Sequence, residues 1–272
     1  MTISEAAEKY LKDQINKSGK PLEIRVSSFL DEKWKHVSNQ DTYVDQDEKK
    51  LKEIDICAFD GPKRVGNIEL EATLVIECKQ SEAFSWVFFT RPLEYSNENI
   101  AGQYLDEIQM AARNVERAEV MQSILMKTSL HYRNMPTVAV TYEAFKMGEV
   151  QRGQFREGQN EIFDAQCQLK SYIECAMHQS IRERISIIPY TIEMYFPCIV
   201  FRGRMYEARV KGDDVTLKDS KHLLLKMLYK SPYSIYERKQ RKVNDLSTGL
   251  TVVCASERSE VEADRSIASA RL

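Results

Sequence analysis

No apolar run in this sequence approaches the roughly 20 residues that span a bilayer, so a membrane helix is not expected. The opening Met-Thr-Ile-Ser-Glu lacks the basic-then-apolar layout of a signal peptide, which makes the cytoplasm the expected compartment. Cysteines number six (Cys57, Cys78, Cys167, Cys175, Cys198 and Cys254), but they are scattered and form no C-x-x-C pair. Reduced, structural thiols are expected from that spacing, with neither a zinc site nor a disulfide framework. His36, His131, His178 and His222 are equally dispersed and give no H-E-x-x-H spacing. A glycine-rich phosphate loop, a G-x-S-x-G elbow and a nucleophilic triad are all missing. So is any excess of one charge: the formal net charge is −2. A broad basic nucleic-acid surface usually comes with a high pI, so phosphate contacts here must come from a local patch.

What is present reads as an ordinary globular chain, with 43% hydrophobic and 29% charged residues. A folded chain of this length buries roughly 75% of its unfolded surface, so a proper core is available. Thr2 or Ser4 can cap a first helix with the apolar stripe Ala6, Ala7, Tyr10, Leu11 and Ile15, ended by Gly19-Lys20-Pro21. Leu22 to Val26 alternates as a strand does, and a short strand is expected around Thr42-Tyr43-Val44. Ile54 to Phe59 reads as a buried strand closed by the turn Asp60-Gly61-Pro62, and Ala72 to Lys79 as another strand. A long helix is expected over 99–129, a strand over 137–142 and a helix over 160–181. Strands around Cys198–Phe201 and Met205–Val210, separated by a turn at Arg202-Gly203-Arg204, and a strand at His222–Tyr229 suggest an antiparallel extension of the sheet. Residues from about Ala255 carry no period and read as a disordered tail.

Two segments carry the chemistry. Ile54-Asp55-Ile56 and Val75-Ile76-Glu77-Cys78-Lys79 each place charge inside an apolar β-run. A buried charge needs a partner or a metal. Alternation puts Glu77 and Lys79 on one face and Cys78 on the other, and likewise groups Glu53, Asp55 and Cys57. If the two strands are neighbours, Asp55, Glu77 and Lys79 converge at one rim. Two carboxylates roughly 4 Å apart repel unless a divalent cation lies between them. Mg²⁺ accepts one or two carboxylates, completing its shell with water and substrate phosphate. A neighbouring ammonium can position the attacking water or stabilise developing charge.

In this order of elements, with Glu53-Ile54-Asp55-Ile56 followed by the E-x-K of Glu77-Cys78-Lys79, the first 145 or so residues resemble the PD-(D/E)XK superfamily. That resemblance implies an α/β fold: a mixed central sheet flanked by helices, with a restriction-endonuclease-like αβββαβ core. It implies that Asp55 and Glu77 bind Mg²⁺ or Mn²⁺, with the Cys78 backbone carbonyl as a third ligand and Lys79 serving the water. Many members add a glutamate from the first helix, for which Glu8 is the candidate and Glu5 the alternative. The implied activity is hydrolysis of phosphodiester bonds in nucleic acid, DNA first, in a defence or repair setting. Residues 146–254 then extend the same domain by a helix and antiparallel strands. No proline precedes Asp55, as in many members. In the helix expected after the E-x-K strand, Gln103 and Tyr104 are adjacent rather than in the Q-x-x-x-Y spacing of RecB-like members, which favours a restriction-like or an uncharacterised branch.

The rival expectation is a nuclease-fold module that binds nucleic acid or assembles with protein without turnover. A homodimer would suit an enzyme that makes two cuts, though nothing in the sequence demonstrates one. Trp86-Val87-Phe88-Phe89 is expected to pack on the sheet rather than stack bases, and Arg238-Lys239-Gln240-Arg241-Lys242 to be a solvated edge. Asp213-Asp214 after Gly212 reads as a turn.

Overall fold

A computed structural model of the chain describes residues 3–45, 47–65, 68–92, 109–112, 137–146, 161–183, 190–226 and 250–255. Helix α1 (Glu5–Lys17) begins where Ser4 Oγ accepts the Ala7 N–H, and ends at Ser18. It buries no side chain. Pro21, in the first turn, starts helix α2 (Lys20–Asp31) with its fixed φ and no N–H to waste. Leu22, Val26 and Leu30 repeat every four residues and are buried, whereas Ile24 is exposed. The strand expected at Leu22–Val26 is therefore helix, because a short window could not separate period two from period 3.6.

The strands are β1 (His36–Val44), β2 (Leu51–Phe59), β3 (Lys63–Val65), β4 (Ile68–Pro92), β5 (Gln109–Ala112) and β6 (Thr137–Lys146). Helix α3 (Glu161–Glu183) precedes β7 (Tyr190–Lys211), β8 (Asp214–Asp219), β9 (His222–Lys226) and β10 (Leu250–Ala255). Together they make one mixed sheet. Antiparallel β1–β2 and β2–β4 pairs lead to the long parallel pair β4–β7, in which Ile68 faces Tyr190 and Phe89 faces Ala208. From β4 the path runs through β6, β9 and β10 back to β7, so these five strands close into a ring.

Several expectations change. The segment 109–112 is strand, paired with β7, which interrupts the long helix expected there; the rest of that helix lies outside the described residues. β7 runs straight through Arg202-Gly203-Arg204, so no turn separates its halves. The C-terminal extension is mixed rather than antiparallel, since β10 is parallel to β7 and β9 to β6. The turn at Gly212, where φ is +61°, is as expected. The basic run 238–242 and the tail lie outside the described residues.

Two cores sandwich the sheet. On one face α2 packs Leu22, Val26 and Leu30 against Ile56, Ala58, Leu74, Ile76, Cys198 and Val200. On the other, Ile162, Ala165, Leu169 and Ile173 of α3 meet Ile54, Val75, Trp86, Phe88, Ile199 and Phe201. Trp86 packs edge-on against Phe201 at 5.9 Å, so the aromatic segment after the E-x-K residues is core. No helix among the described residues is long and apolar enough to cross a membrane.

Candidate functional site

The site begins with an irregularity in β1 and β2. Ile54 lies in the α3-side core, while Ile56 and Ala58 lie in the α2-side core. Side chains two apart on a regular strand share a face, so β2 slips by one side at Asp55. Across from Asp55 in the register stands Gln40, at φ +57°, between the pairs Asn39↔Ile56 and Asp41↔Ile54. The neighbouring strand slips in step. Ser38 and Asp41, three residues apart, share a hydrogen bond of 3.4 Å, and the Tyr172 O–H from α3 reaches Asp41 Oδ2 at 3.0 Å and Cys57 Sγ at 3.4 Å. Glu53, Asp55 and Cys57 therefore do not share one face, contrary to the alternation read from sequence.

At the same place two paired strands part. The β2–β4 ladder runs from Phe59↔Thr73 to Ile56↔Ile76 and stops. Beyond it β4 stays paired with β7, as Glu77↔Ile199, Cys78↔Val200 and Lys79↔Phe201. Cys78 thus loses a carbonyl acceptor on the β2 side, and its N–H donates instead to Asp55 Oδ2 at 2.8 Å. The side chain of Asp55 bridges the mouth of a fork between β2 and β4. Because the N–H and C=O of one strand residue point the same way, the Cys78 carbonyl also faces this fork.

Glu77 stands at the base of the fork on the α3 face, only 1% exposed. Its Oε2 accepts from Lys79 Nζ at 2.8 Å, while its buried Oε1 accepts no hydrogen bond among the described residues. Burial pushes the Glu77 carboxyl up to about 7; Lys79 opposes the rise, the Asp55 charge adds to it, and the Asp55 backbone N–H lowers it again. Burial also works against the Lys79 ammonium, but Glu77, Asp55 and Glu161 outweigh it and hold the group charged, above its ordinary range. Lys79 is further fixed by Gln168 Oε1 of α3 at 3.3 Å. Tyr43 closes the same side through a hydrogen bond of 3.3 Å to the Gln168 carbonyl. Glu161, at the start of α3, has a buried Oε2 with no hydrogen-bond partner among the described residues. Burial raises its pKa, against Lys79, whose charge lowers it.

Asp55, Glu77, Cys78 and Lys79 are thus brought together. Glu8 is not joined to them. It sits on the exposed α1, paired with Lys12 at 2.6 Å. The tie from α1 to this region is its last turn, where the Asn16 carbonyl accepts from Gln80 Nε2 at 2.8 Å. Glu8 lies two turns back, about 12 Å along the helix axis. The Cys78 thiol is held protonated by burial, so only its backbone has ligand character.

Sequence reading missed three residues here: Gln40, Glu161 and Gln168. A signal for the last was present. Gln168 and Tyr172 have the Q-x-x-x-Y spacing that Gln103 and Tyr104 lack, on a helix far downstream of the E-x-K strand.

Among the described residues no group of three or more His, Cys, Asp or Glu side chains is gathered to hold a metal. Asp55 and Glu77 make a pair, within what Mg²⁺ takes from protein. Glu77 Oε1, a buried acceptor with no hydrogen bond among the described residues, can be satisfied by a proton, a water or a cation. The donor set fits a hard, oxygen-seeking ion. Compared with known proteins, the chain matches no family model, no curated protein and no solved structure.

Proposed function

We propose that the chain is a metal-dependent phosphodiesterase of the PD-(D/E)XK type acting on nucleic acid, DNA first. The observation that carries this reading is the fork, where Asp55 and Glu77 from adjacent strands meet around the Cys78 backbone with Lys79 beside them. Asp55 Oδ and Glu77 Oε1 would hold Mg²⁺ or Mn²⁺, with the Cys78 carbonyl as third protein ligand. When bound, such an ion polarises a phosphate and supplies hydroxide at neutral pH. Glu77 would serve as a ligand in its ionised form, its proton released to solvent. Lys79, kept charged by three carboxylates and oriented by Gln168, positions the attacking water and stabilises charge developing on the phosphate. The Gln168 and Tyr172 spacing supports a RecB-like branch over the restriction-like one.

The test is cleavage of plasmid, linear duplex, single-stranded DNA and RNA in Mg²⁺ and in Mn²⁺. Asp55→Ala, Glu77→Ala and Lys79→Ala should each abolish it. Full activity in all three would remove the assignment.

One observation favours a second reading. Lys79 already neutralises Glu77 at 2.8 Å, as a purely structural ion pair would. A nuclease-fold module that binds nucleic acid without turnover would show salt-sensitive DNA binding and no stabilisation by Mn²⁺.

A further inference from the structure

The β8 strand is a sheet edge whose sequence complements itself. Among the described residues it pairs only with β7, through the register Lys211↔Asp214, Val210↔Val215, Arg209↔Thr216, Ala208↔Leu217 and Glu207↔Lys218. All six of its residues are exposed. Val210, Val215 and Leu217 are 60%, 57% and 62% exposed, an apolar row on one face of the hairpin. The other face carries Asp214, Thr216 and Lys218 beside Lys211, Arg209 and Glu207. Such an edge is a template for another strand.

We propose that β8 pairs antiparallel with β8 of a second copy of this chain, about a two-fold axis at Thr216. The two-residue Gly212-Asp213 loop makes Lys211↔Asp214 a hydrogen-bonded pair, so bonded pairs recur at Thr216 and Lys218. The backbone groups of Val215 and Leu217 therefore point away from β7, to the free edge. With the axis at Thr216, Val215 of each copy faces Leu217 of the other, and these outward groups make hydrogen-bonded pairs. Thr216 meets Thr216 in a non-hydrogen-bonded pair between them.

Side chains agree with this register. Asp214 of one copy faces Lys218 of the other, extending the pairs within each hairpin into a row Lys211, Asp214, Lys218, Glu207 of alternating sign across four strands. The apolar row becomes Val210, Val215, Leu217, Ala208. Directly opposite side chains must share a face, so a two-fold axis has to pass through a residue. Moving it to Leu217 sets Val215 against Asp219 and Thr216 against Lys218, which loses both matches. Opposite charges, Thr–Thr pairs and apolar pairs each stabilise such a contact. Charged residues on an edge deter arbitrary pairing; here they select one partner and one register. The contact is smaller than the roughly 1,000 Å² of a stable standard interface, so the dimer forms in a concentration-dependent way.

Crosslinking of the full chain tests this. Thr216→Cys places two thiols in a non-hydrogen-bonded pair with Cα atoms about 4.5 Å apart, within disulfide range. Lys218→Cys places its pair four residues out of register, about 13 Å apart. With oxidised glutathione as the electron acceptor and the wild type as background, Thr216→Cys should give at least tenfold more covalent dimer than Lys218→Cys. Adding Leu217→Pro, which removes an outward N–H and leaves the β7 pairing intact, should return it to background. Equal crosslinking by the two cysteine variants, or crosslinking that survives Leu217→Pro, overturns the proposal. A circular dichroism spectrum matching wild type confirms that each variant is folded, and a sedimentation coefficient of uncrosslinked wild type that stays monomeric up to millimolar concentration also overturns it.

Discussion

The Cys78 N–H donates to the Asp55 carboxylate across 2.8 Å at the point where β2 and β4 cease to pair with each other. A side chain thus takes the place of a ladder acceptor, and the acidic residue is held at the strand edge rather than on either face. The slip at Asp55, opposite Gln40 with φ +57°, is what turns it there.

Removing that acceptor has a measurable cost. Asp55→Ala leaves the Cys78 N–H without a partner, which should destabilise the fold by about 1–3 kcal/mol. Asp55→Asn retains an oxygen acceptor and should stay within about 1 kcal/mol of wild type. Urea denaturation separates the two, and neither variant should be stabilised by Mn²⁺.

The buried Glu77 sets a pH dependence. Its folded pKa is raised to about 7, above the ordinary carboxylate value. The folded state therefore holds this proton more tightly than the unfolded chain. The associated stability is complete below the unfolded value near 4.3 and is lost as pH rises through about 7. The difference is on the order of 3 kcal/mol. Unfolding free energies measured from pH 4.5 to 8 should fall across that range. Glu77→Gln should flatten the profile; an unchanged slope would show that another group carries it.

Gln168 acts through Lys79, to which its Oε1 is bonded at 3.3 Å. Gln168→Ala should lower kcat about tenfold, less than the roughly 10²–10⁴-fold that a positioned catalytic group itself contributes, because Gln168 acts only through Lys79, with KM little changed. Gln168→Glu keeps an acceptor for the ammonium and should recover part of that loss. Equal losses in kcat and in thermal stability for both variants would mark a structural role alone.

Glu8 is expected to be dispensable. Its contact is an exposed i, i+4 pair with Lys12, of a kind that contributes roughly 0.3–0.5 kcal/mol. Glu8→Ala should leave both cleavage and the Mn²⁺ response unchanged; abolished cleavage would mean that α1 approaches the fork during turnover.

Much of the site was legible because it is local. Ile54-Asp55-Ile56 and Val75 to Lys79 read as two strands with charge in apolar surroundings; that they are antiparallel neighbours comes from the fold, in the register Ile56↔Ile76 to Phe59↔Thr73. The direction of Asp55 was not legible, since alternation assumes a regular strand and the slip depends on Gln40 in another element. Gln168 and Tyr172 lie 89 and 93 positions after Lys79 and Lys79's register gave no hint of them; only folding of α3 onto the sheet brings Gln168 there. Leu22 to Val26 misread as strand because both periods fit five residues, and Leu30 was needed to decide. Gly203 misread as a turn because a glycine between two arginines looks like punctuation; β7 instead continues through it, with an irregularity in its register against β4 between Arg202 and Arg204.

The most direct test of the fork as a metal site is the melting temperature of wild type and Glu77→Ala titrated with Mn²⁺. A site formed only in the folded state adds about 2.7 kcal/mol at one hundred times its Kd. The wild-type melting temperature should rise with Mn²⁺, and Glu77→Ala should not respond. A wild type without any shift, or a shift of equal size in Glu77→Ala, would contradict it.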